Sequence, residues 1–517
     1  MYRFTPEEVL IGTAPVWDEQ RQQWRGEFLT LHEDGGENGP VPMREIGNIA
    51  TIGAPGSGKT RLIEAQLLNW GQSIVVIDLK GGLYKTTAAY RAQLGPVIVL
   101  DPRDGRGSRY NPLAVIRVKA RRTLAQEIVS RGRDDADPFW TSVAAQFWEC
   151  CWYAADEVNR PHIPYAVEVI NMGLVGALRY LMAYHGENRQ VVRILSNFMV
   201  APITPDLLQR LTEQGASKLV ESKWASVVES AAPFQDLGML NIFNGHDINP
   251  AQMFKRPTTL YIMADETDAE GFAMFARLVM KTLGDALIMA GDQLGFNERL
   301  PVLFMFDEFG AIRVNNARQW MNTMRSRGVI LWLFAQSLSQ LPSEARGTYD
   351  PNRENSIHHW VMFSSTVGDN EVGKWISQTS GTTTVAVQGG ESVSQNLTAP
   401  DGGLSRSTSI SYRERHNVEA EDIDTWQMNQ AAVSVRRNGR PRRFYGPVNI
   451  ANADDLGLRQ NAGSLSQPAL LTDYEPPVFA EPEPYPVQDE DNGRGRDRTR
   501  GRRYRQSNDD EAGDLFD

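Results

Sequence analysis

The chain is poor in cysteine and has no long apolar run. Among its 517 residues only Cys150 and Cys151 are cysteines, and they are adjacent. Neighbouring cysteines do not make a disulfide framework, so a reducing compartment is expected. No Cys or His pair at ligand spacing lies beside them, which excludes a cysteine-based metal centre there. No stretch approaches the ~18–20 uninterrupted apolar residues that span a bilayer. The nearest candidate, Ser142 to Ala155, is broken by Gln146 and Glu149. The segment before Ile46 carries Glu7, Glu8, Asp18, Glu19, Arg21 and Arg25 without an apolar block, so no secretory leader is read there. The expectation is a cytoplasmic protein that reaches the inner face of a membrane only through a partner. A basic excess is also lacking. The formal net charge is −11, which argues against broad nucleic-acid binding by the outer surface. The charge is uneven, however: Asn461 to Asp517 carries 7 basic and 13 acidic residues. A locally basic channel is compatible with bulk acidity.

What is present is an alternating αβ pattern. The length predicts two or three domains. A polar, strand-rich lead-in over residues 1–45 precedes a short buried strand, Ile46 to Ile52, a glycine-rich turn, and a helix from Thr60 to Trp70. Ser73 to Asp78 and Val97 to Asp101 are continuous apolar runs of strand length. Such runs separated by helices indicate a parallel sheet covered on both faces. From Ile116 to Glu221 only helical periodicity is visible. Within it Trp140, Phe147, Trp148, Cys151 and Trp152 fall on one helix face, a core stripe. Strand runs resume at Thr258 to Met263, Val302 to Phe306, Val329 to Phe334 and Trp360 to Phe363. Residues 382–412, rich in Thr, Ser and Gly, predict a loop or hairpin, and Val433 to Val435 and Arg443 to Tyr445 predict closing strands. Beyond Asn461 the chain is Pro- and acid-rich, then Arg/Gly-rich, and cannot bury enough apolar surface to fold alone. The predicted fold class is α/β. A nucleotide-binding domain with a mostly parallel sheet spans 46–115 and 222–460, an all-α insertion spans 116–221, and a disordered tail spans 461–517.

The chemistry concentrates at Gly53-Ala54-Pro55-Gly56-Ser57-Gly58-Lys59-Thr60, which matches G-x-x-x-x-G-K-[ST]. Glycines let the backbone turn its amides toward phosphate oxygens, and the following helix adds its positive end. In this pattern Lys59 reaches the outer phosphates of ATP and the Thr60 hydroxyl ligates Mg²⁺. The second half is the apolar run Leu303 to Phe306 ending in Asp307 and Glu308. Asp307 at a strand tip can hold the hydration shell of Mg²⁺, and Glu308 can orient the attacking water. Asp78 and Asp101, at other strand ends, are read as helix caps or as the rim of the site. Gln336, after the strand Val329 to Phe334, can sense a γ-phosphate if that strand lies beside the Asp307 strand. The alternative is a Gln in a surface loop. Arg325 and Arg327, just upstream, fit either an arginine finger for a neighbouring subunit or a solvated helix end. The residues therefore describe an ATP-hydrolysing P-loop motor of the RecA-like type.

At this point the chain resembles the type IV secretion coupling proteins, the TraG/TraD-type conjugative DNA-transfer ATPases. The resemblance runs from Ile46 to Asn449 and is carried by GAPGSGKT, VVIDLKGG at 75–82, YNPL at 110–113, FDEFG at 306–310 and AQSLSQL at 335–341. The closing RERHNVEAEDIDTWQMNQAAVSVRRNGRPRRFY also looks like that family's last strands. The phosphate loop is generic; the other pieces, in this order around a helical insertion, are specific. The resemblance implies a RecA-like motor domain, a cytoplasm-facing all-α domain, and a hexamer that brings relaxase-bound single-stranded DNA to a secretion channel. It implies that Lys59 and Thr60 bind phosphate and Mg²⁺, that Asp307 and Glu308 form the hydrolytic pair, and that Gln336 is the sensor. Arg325, eleven residues before Gln336, falls where the family places its trans arginine, with Arg327 as the alternative. Typical members carry two N-terminal transmembrane helices. None is read in this sequence, so docking on a separate membrane anchor protein is expected. The neighbouring functions are a channel-energising secretion ATPase and another ring DNA translocase or packaging motor. A non-catalytic adaptor would not need Glu308.

Overall fold

The structure is a computed structural model. It describes residues 9–18, 23–31 and 47–471, except 79–80, 104, 131–136, 161, 264–268, 296–297, 308, 311–316, 342–356, 365–369, 396–403, 417, 424, 436–442, 455–457 and 459–463. Among the described residues its frame is a sheet of twelve strands. In chain order these are β1 (Val9–Asp18), β2 (Gln23–Leu31), β3 (Ile49–Ile52), β4 (Ser73–Asp78), β5 (Val97–Asp101), β6 (Arg106–Gly107), β7 (Thr259–Met263), β8 (Val302–Phe306), β9 (Val329–Ala335), β10 (His359–Phe363), β13 (Gln430–Val435) and β14 (Arg443–Ile450). Across the sheet the order is β2-β1-β14-β13-β10-β3-β9-β8-β4-β7-β5-β6. The seven strands from β10 to β5 are parallel; the flanking strands are antiparallel.

The parallel strands are apolar throughout because both faces are covered. On one face Ile49, Ile74, Val76, Met305 and Phe334 pack under α1 (Lys59–Asn69) and α2 (Gly82–Leu94) through Leu62, Leu67, Leu83 and Ala88. The alternate residues Ile52, Val75, Leu100, Phe304 and Leu333 join the core of the helical region. Period-two alternation along each strand thus feeds two separate cores.

The helical region lies between β6 and β7. It comprises α3 (Arg121–Ser130), α4 (Pro138–Glu157), α5 (Ile163–Asn171), α6 (Gly173–His185), α7 (Arg189–Met199), α8 (Pro205–Gln214), α9 (Lys218–Ala231) and α10 (Leu237–Phe243). Asp137 starts α4 by accepting from the Phe139 amide at 2.8 Å, with Pro138 at the first helical position. Phe147, Trp148, Cys151 and Trp152 are buried as a core stripe; Trp140 is half-buried. Both cysteines are free and buried, and burial pushes their thiols up, away from thiolate chemistry. The expected boundary at 221 is corrected: it falls inside α9, which begins at the Ser217 cap and runs to Ala231. Helical periodicity does not change at 221, and the helical core is continuous with one face of the sheet, so no linker marks the junction.

Two further corrections concern the ends. The expected lead-in 1–45 is no separate piece, because β1 pairs with β14 and extends the main sheet. That pairing needs Gly12, where a Cβ would lie 2.1 Å from the Asn449 carbonyl oxygen. The tail does not begin at 461 either. Ser464 to Leu471 runs along the opposite edge, where the Gly107 amide donates to the Ala469 carbonyl (2.9 Å) and the Leu471 amide to the Gly105 carbonyl (2.9 Å). The Tyr84 hydroxyl donates to the Ser466 carbonyl at 3.0 Å. Residues 472–517, the Pro-acidic and Arg/Gly-rich parts, lie outside the described residues. β11 (Thr382–Gln395) pairs antiparallel with β12 (Leu404–His416) in a sheet of their own. Among the described residues no single helix is long and apolar enough to cross a membrane.

Candidate functional site

The site grows from the C-terminal end of the parallel strands. β3 is buried along its whole length and delivers the chain to Gly53, whose amide donates to the Ala335 carbonyl at 3.0 Å. Gly53 cannot carry a side chain: a Cβ there would lie 2.3 Å from Ser57 Oγ and 2.8 Å from the Phe363 ring. Gly56 (φ 80°) and Gly58 (φ 107°) take the left-handed conformation that closes the loop. α1 then starts with no side-chain cap and no acidic residue in its first turn. Its first amides are left to an external acceptor. Lys59 is buried and folds back over the loop, donating to the carbonyls of Gly53 (2.6 Å) and Ala54 (3.3 Å). Ser57 Oγ is buried without a hydrogen-bond partner. Uncapped amides, a buried ammonium and an orphaned hydroxyl together fit a phosphate group.

Strand order brings the second half to the loop. β9 lies between β3 and β8, and Trp332 Nε1 ties it to Thr51 Oγ1 at 2.8 Å. Asp307 leaves the end of β8 half-buried, and Gln336 leaves the end of β9 with its amide donating to Gln340 Oε1 at 2.7 Å. Both line, with Pro55, Gly56, Ser57, Gly58, Lys59 and Thr60, one cleft of ≈ 870 Å³. Gln336 is therefore a cleft residue and not part of a remote loop. Glu308 lies outside the described residues. Asp78 has both expected roles: it lines the cleft and accepts from the Tyr84 amide at 2.7 Å, capping α2. Asp101 has neither and holds the Arg103 guanidinium at 2.6 Å. Among the described residues no group of three or more His, Cys, Asp or Glu could hold a metal by itself. The oxygens of Thr60 and Asp307 fit a Mg²⁺ ion that takes its remaining ligands from phosphate and water.

The arginines stand elsewhere. Arg325–Arg327 is a 3₁₀ turn leading into β9, at the end of that strand away from the cleft. Seven strand residues at about 3.3 Å each place it roughly 20 Å from its own phosphate loop. Arg325 NH1 lies 2.9 Å from His358 Nε2, and the Asn48 amide is 3.2 Å from His358 Nδ1. Arg327 pairs with Asp292 at 2.8 Å.

Sequence reading missed the far wall of the cleft, which comes from Phe363, Met428, Asn429 and the segment Ile450 to Asn452. Met428 and Asn429 fall in the closing segment quoted above, but no local motif marks any of these residues as lining a cleft, because nonlocal strand pairing brings them there.

A parallel sheet with a lysine-bearing glycine loop after one strand, an aspartate after a second and a glutamine after the strand between them defines a RecA-like P-loop NTPase. Residues 11–441 match the family described as Type IV secretory system Conjugative DNA transfer, and the chain belongs to that family. The conjugal transfer protein TraG of Escherichia coli is 24% identical over 473 residues, covering 83% of this chain and 70% of that protein. The fold is similar to that of the plasmid coupling protein TrwB. In complex with the non-hydrolysable ATP analogue ADPNP it superposes with TM-score 0.55 at 16% identity, covering 85% of this chain and 94% of that one. In complex with ADP and Mg²⁺ the values are 0.52, 14%, 86% and 95%.

Proposed function

We propose that this chain is an ATP-driven DNA-translocating coupling protein that links relaxase-bound DNA to a type IV secretion channel in conjugative transfer. The observation that carries the reading is the cleft in which Lys59, Thr60, Asp307 and Gln336 meet while Arg325 stands at the opposite end of β9. Loop amides and Lys59 hold the phosphates, and Thr60 and Asp307 hold Mg²⁺. Bound there, Mg²⁺ supplies positive charge against the phosphate oxygens. Glu308 orients the attacking water, and Gln336 responds to the γ-phosphate and moves the segment after it. Arg325 is too far from its own cleft and serves a neighbour's, with Arg327 engaged by Asp292. This makes the active form a ring, in our reading a hexamer, with single-stranded DNA in its pore. The helical region is assigned to a cytoplasm-facing domain, the C-terminal tail to partner docking, and membrane attachment to a separate anchor protein.

The test is ATP turnover by purified protein with and without single-stranded DNA. Wild type is expected to be stimulated by DNA, and Glu308→Gln to bind ATP but not turn it over. Near-wild-type turnover in Glu308→Gln sinks the assignment of the hydrolytic pair. Turnover indifferent to DNA favours a channel-energising role.

A further inference from the structure

The cleft is much larger than a phosphate chain requires, and its wall opposite the loop has no part in the chemistry above. That wall is built by a fixed turn, Gln427–Gln430. The Gln427 amide donates to Gln430 Oε1 at 2.9 Å, the Gln430 amide returns to the Gln427 carbonyl at 2.9 Å, and Ser364 Oγ donates to the same carbonyl at 2.7 Å. Trp426, just before the turn, lies so close over Gly446 that a Cβ there would meet its ring at 2.7 Å. Held this way, the turn presents Met428 outward, 60% exposed. The Met428 methyl reaches over the phosphate loop: a Cβ on Gly56 would lie 3.9 Å from it.

The adjoining piece, Ile450 to Asn452, is held equally firmly. The Ile450 amide donates to the Asn429 carbonyl at 3.0 Å, and the Ala451 amide to the Ile11 carbonyl at 2.8 Å. Asn452 Oδ1 accepts from the Asp454 amide at 3.0 Å. That bond fixes the side-chain amide and leaves Nδ2 as the donor it can offer to a ligand. Phe363, the aromatic ring lining the cleft, is fully buried against Gly53 and Gly58 and presents no face to a ligand.

We propose that Met428 and Asn452 form the base subsite of the cleft, with Met428 covering one face of a purine and Asn452 Nδ2 donating to a ring nitrogen. The inference rests on the nucleotide reading of the phosphate loop and extends it from the phosphates to the base. A polarisable thioether is suited to an aromatic face. A single donor matches the N3 and N7 acceptors that both purines carry, so it does not choose between adenine and guanine; pyrimidines carry acceptors too, and the preference for a purine comes from the larger ring face that Met428 covers. It also gives the N-terminal strand a task, since β1 holds Ala451 in the wall.

The test compares ATP with inorganic tripolyphosphate, which engages the loop but has no base, by calorimetric titration of the full chain. Wild type is expected to bind ATP more tightly than tripolyphosphate. Met428→Ala should lose about three- to tenfold in ATP affinity and nothing toward tripolyphosphate. Asn452→Asp keeps the acceptor that closes the Asp454 turn and removes the donor. It should lower the ratio of ATP to tripolyphosphate affinity by about fivefold. Equal losses for both ligands, or none, overturn the subsite and leave the phosphate reading standing. A wild-type chain that binds neither ligand overturns both.

Discussion

The two ends of β9 are one strand apart in sequence and opposite in construction. At its C-terminal end the polar groups are mostly backbone: the uncapped start of α1, the left-handed glycines, and Lys59 resting on carbonyls. At its N-terminal end the polar groups are side chains that already hold one another, Arg325 beside His358 and Arg327 beside Asp292. One end is arranged to receive a ligand; the other keeps a cation in place until something presents a better acceptor. Because the strand is rigid and roughly 20 Å long, one chain cannot bring the two ends together. A site that needs both must be shared between copies, and hydrolysis is then coupled to how the copies sit.

The largest effect is expected at the cleft end. Lys59→Ala removes the buried ammonium and should abolish turnover while weakening nucleotide binding, read by ATPase assay and titration. Turnover within tenfold of wild type would break the comparison at its stronger end.

Next comes the other end. Arg325→Ala should bind ATP normally and lose about 10³-fold or more in turnover, the scale of an arginine supplied to phosphoryl transfer. Mixed with Lys59→Ala it should recover part of the activity, because some interfaces then pair an intact loop with an intact arginine. The measurement is a titration of one variant into the other at fixed total protein, with subunit exchange followed by labelled chains. A mixture no more active than its parts, despite exchange, makes the site self-contained.

A smaller effect sharpens the same end. His358 stands between the Asn48 amide, 3.2 Å from its Nδ1, and the Arg325 guanidinium, 2.9 Å from its Nε2. His358→Ala should release Arg325 and lower kcat by about tenfold or less with KM little changed. An effect as large as that of Arg325→Ala would assign the histidine a role of its own.

The smallest effect lies away from both ends. Ending the chain after Leu471 should leave basal ATP turnover and Tm unchanged. Ending it before Ser464 removes the strap along β6 and Tyr84 and should lower Tm by about 2–4 °C. If both truncations behave alike in a thermal melt, the strap contributes nothing to the fold.

How much of this was readable in advance follows the range of each interaction. The loop Gly53 to Thr60 is a run of eight consecutive residues whose backbone chemistry is local, and both its motif and its strand–turn–helix setting stand in the chain order. The parallel strands were visible as apolar runs, and the α4 stripe as helical periodicity, because each period is set within one element. The boundary near 221 was misplaced because two stretches of helix with the same period adjoin there, and burial of α9 in a shared core leaves no composition change to read. The tail was begun too early because eight residues without a period, Ser464 to Leu471, gain their partners only from distant parts of the chain, the β6 edge and Tyr84 of α2.

The sequence by itself determined the local units: the phosphate loop, the carboxylates after an apolar run, the helices and strands, and the family they spell. Tertiary structure decided the rest. It set β9 between β3 and β8, turned Gln336 into the cleft and Arg325 away from it, carried β1 to the sheet's edge, and brought Met428 over Gly56. Strand pairing joins backbones far apart in the chain, and no spacing within a motif records which strands will meet.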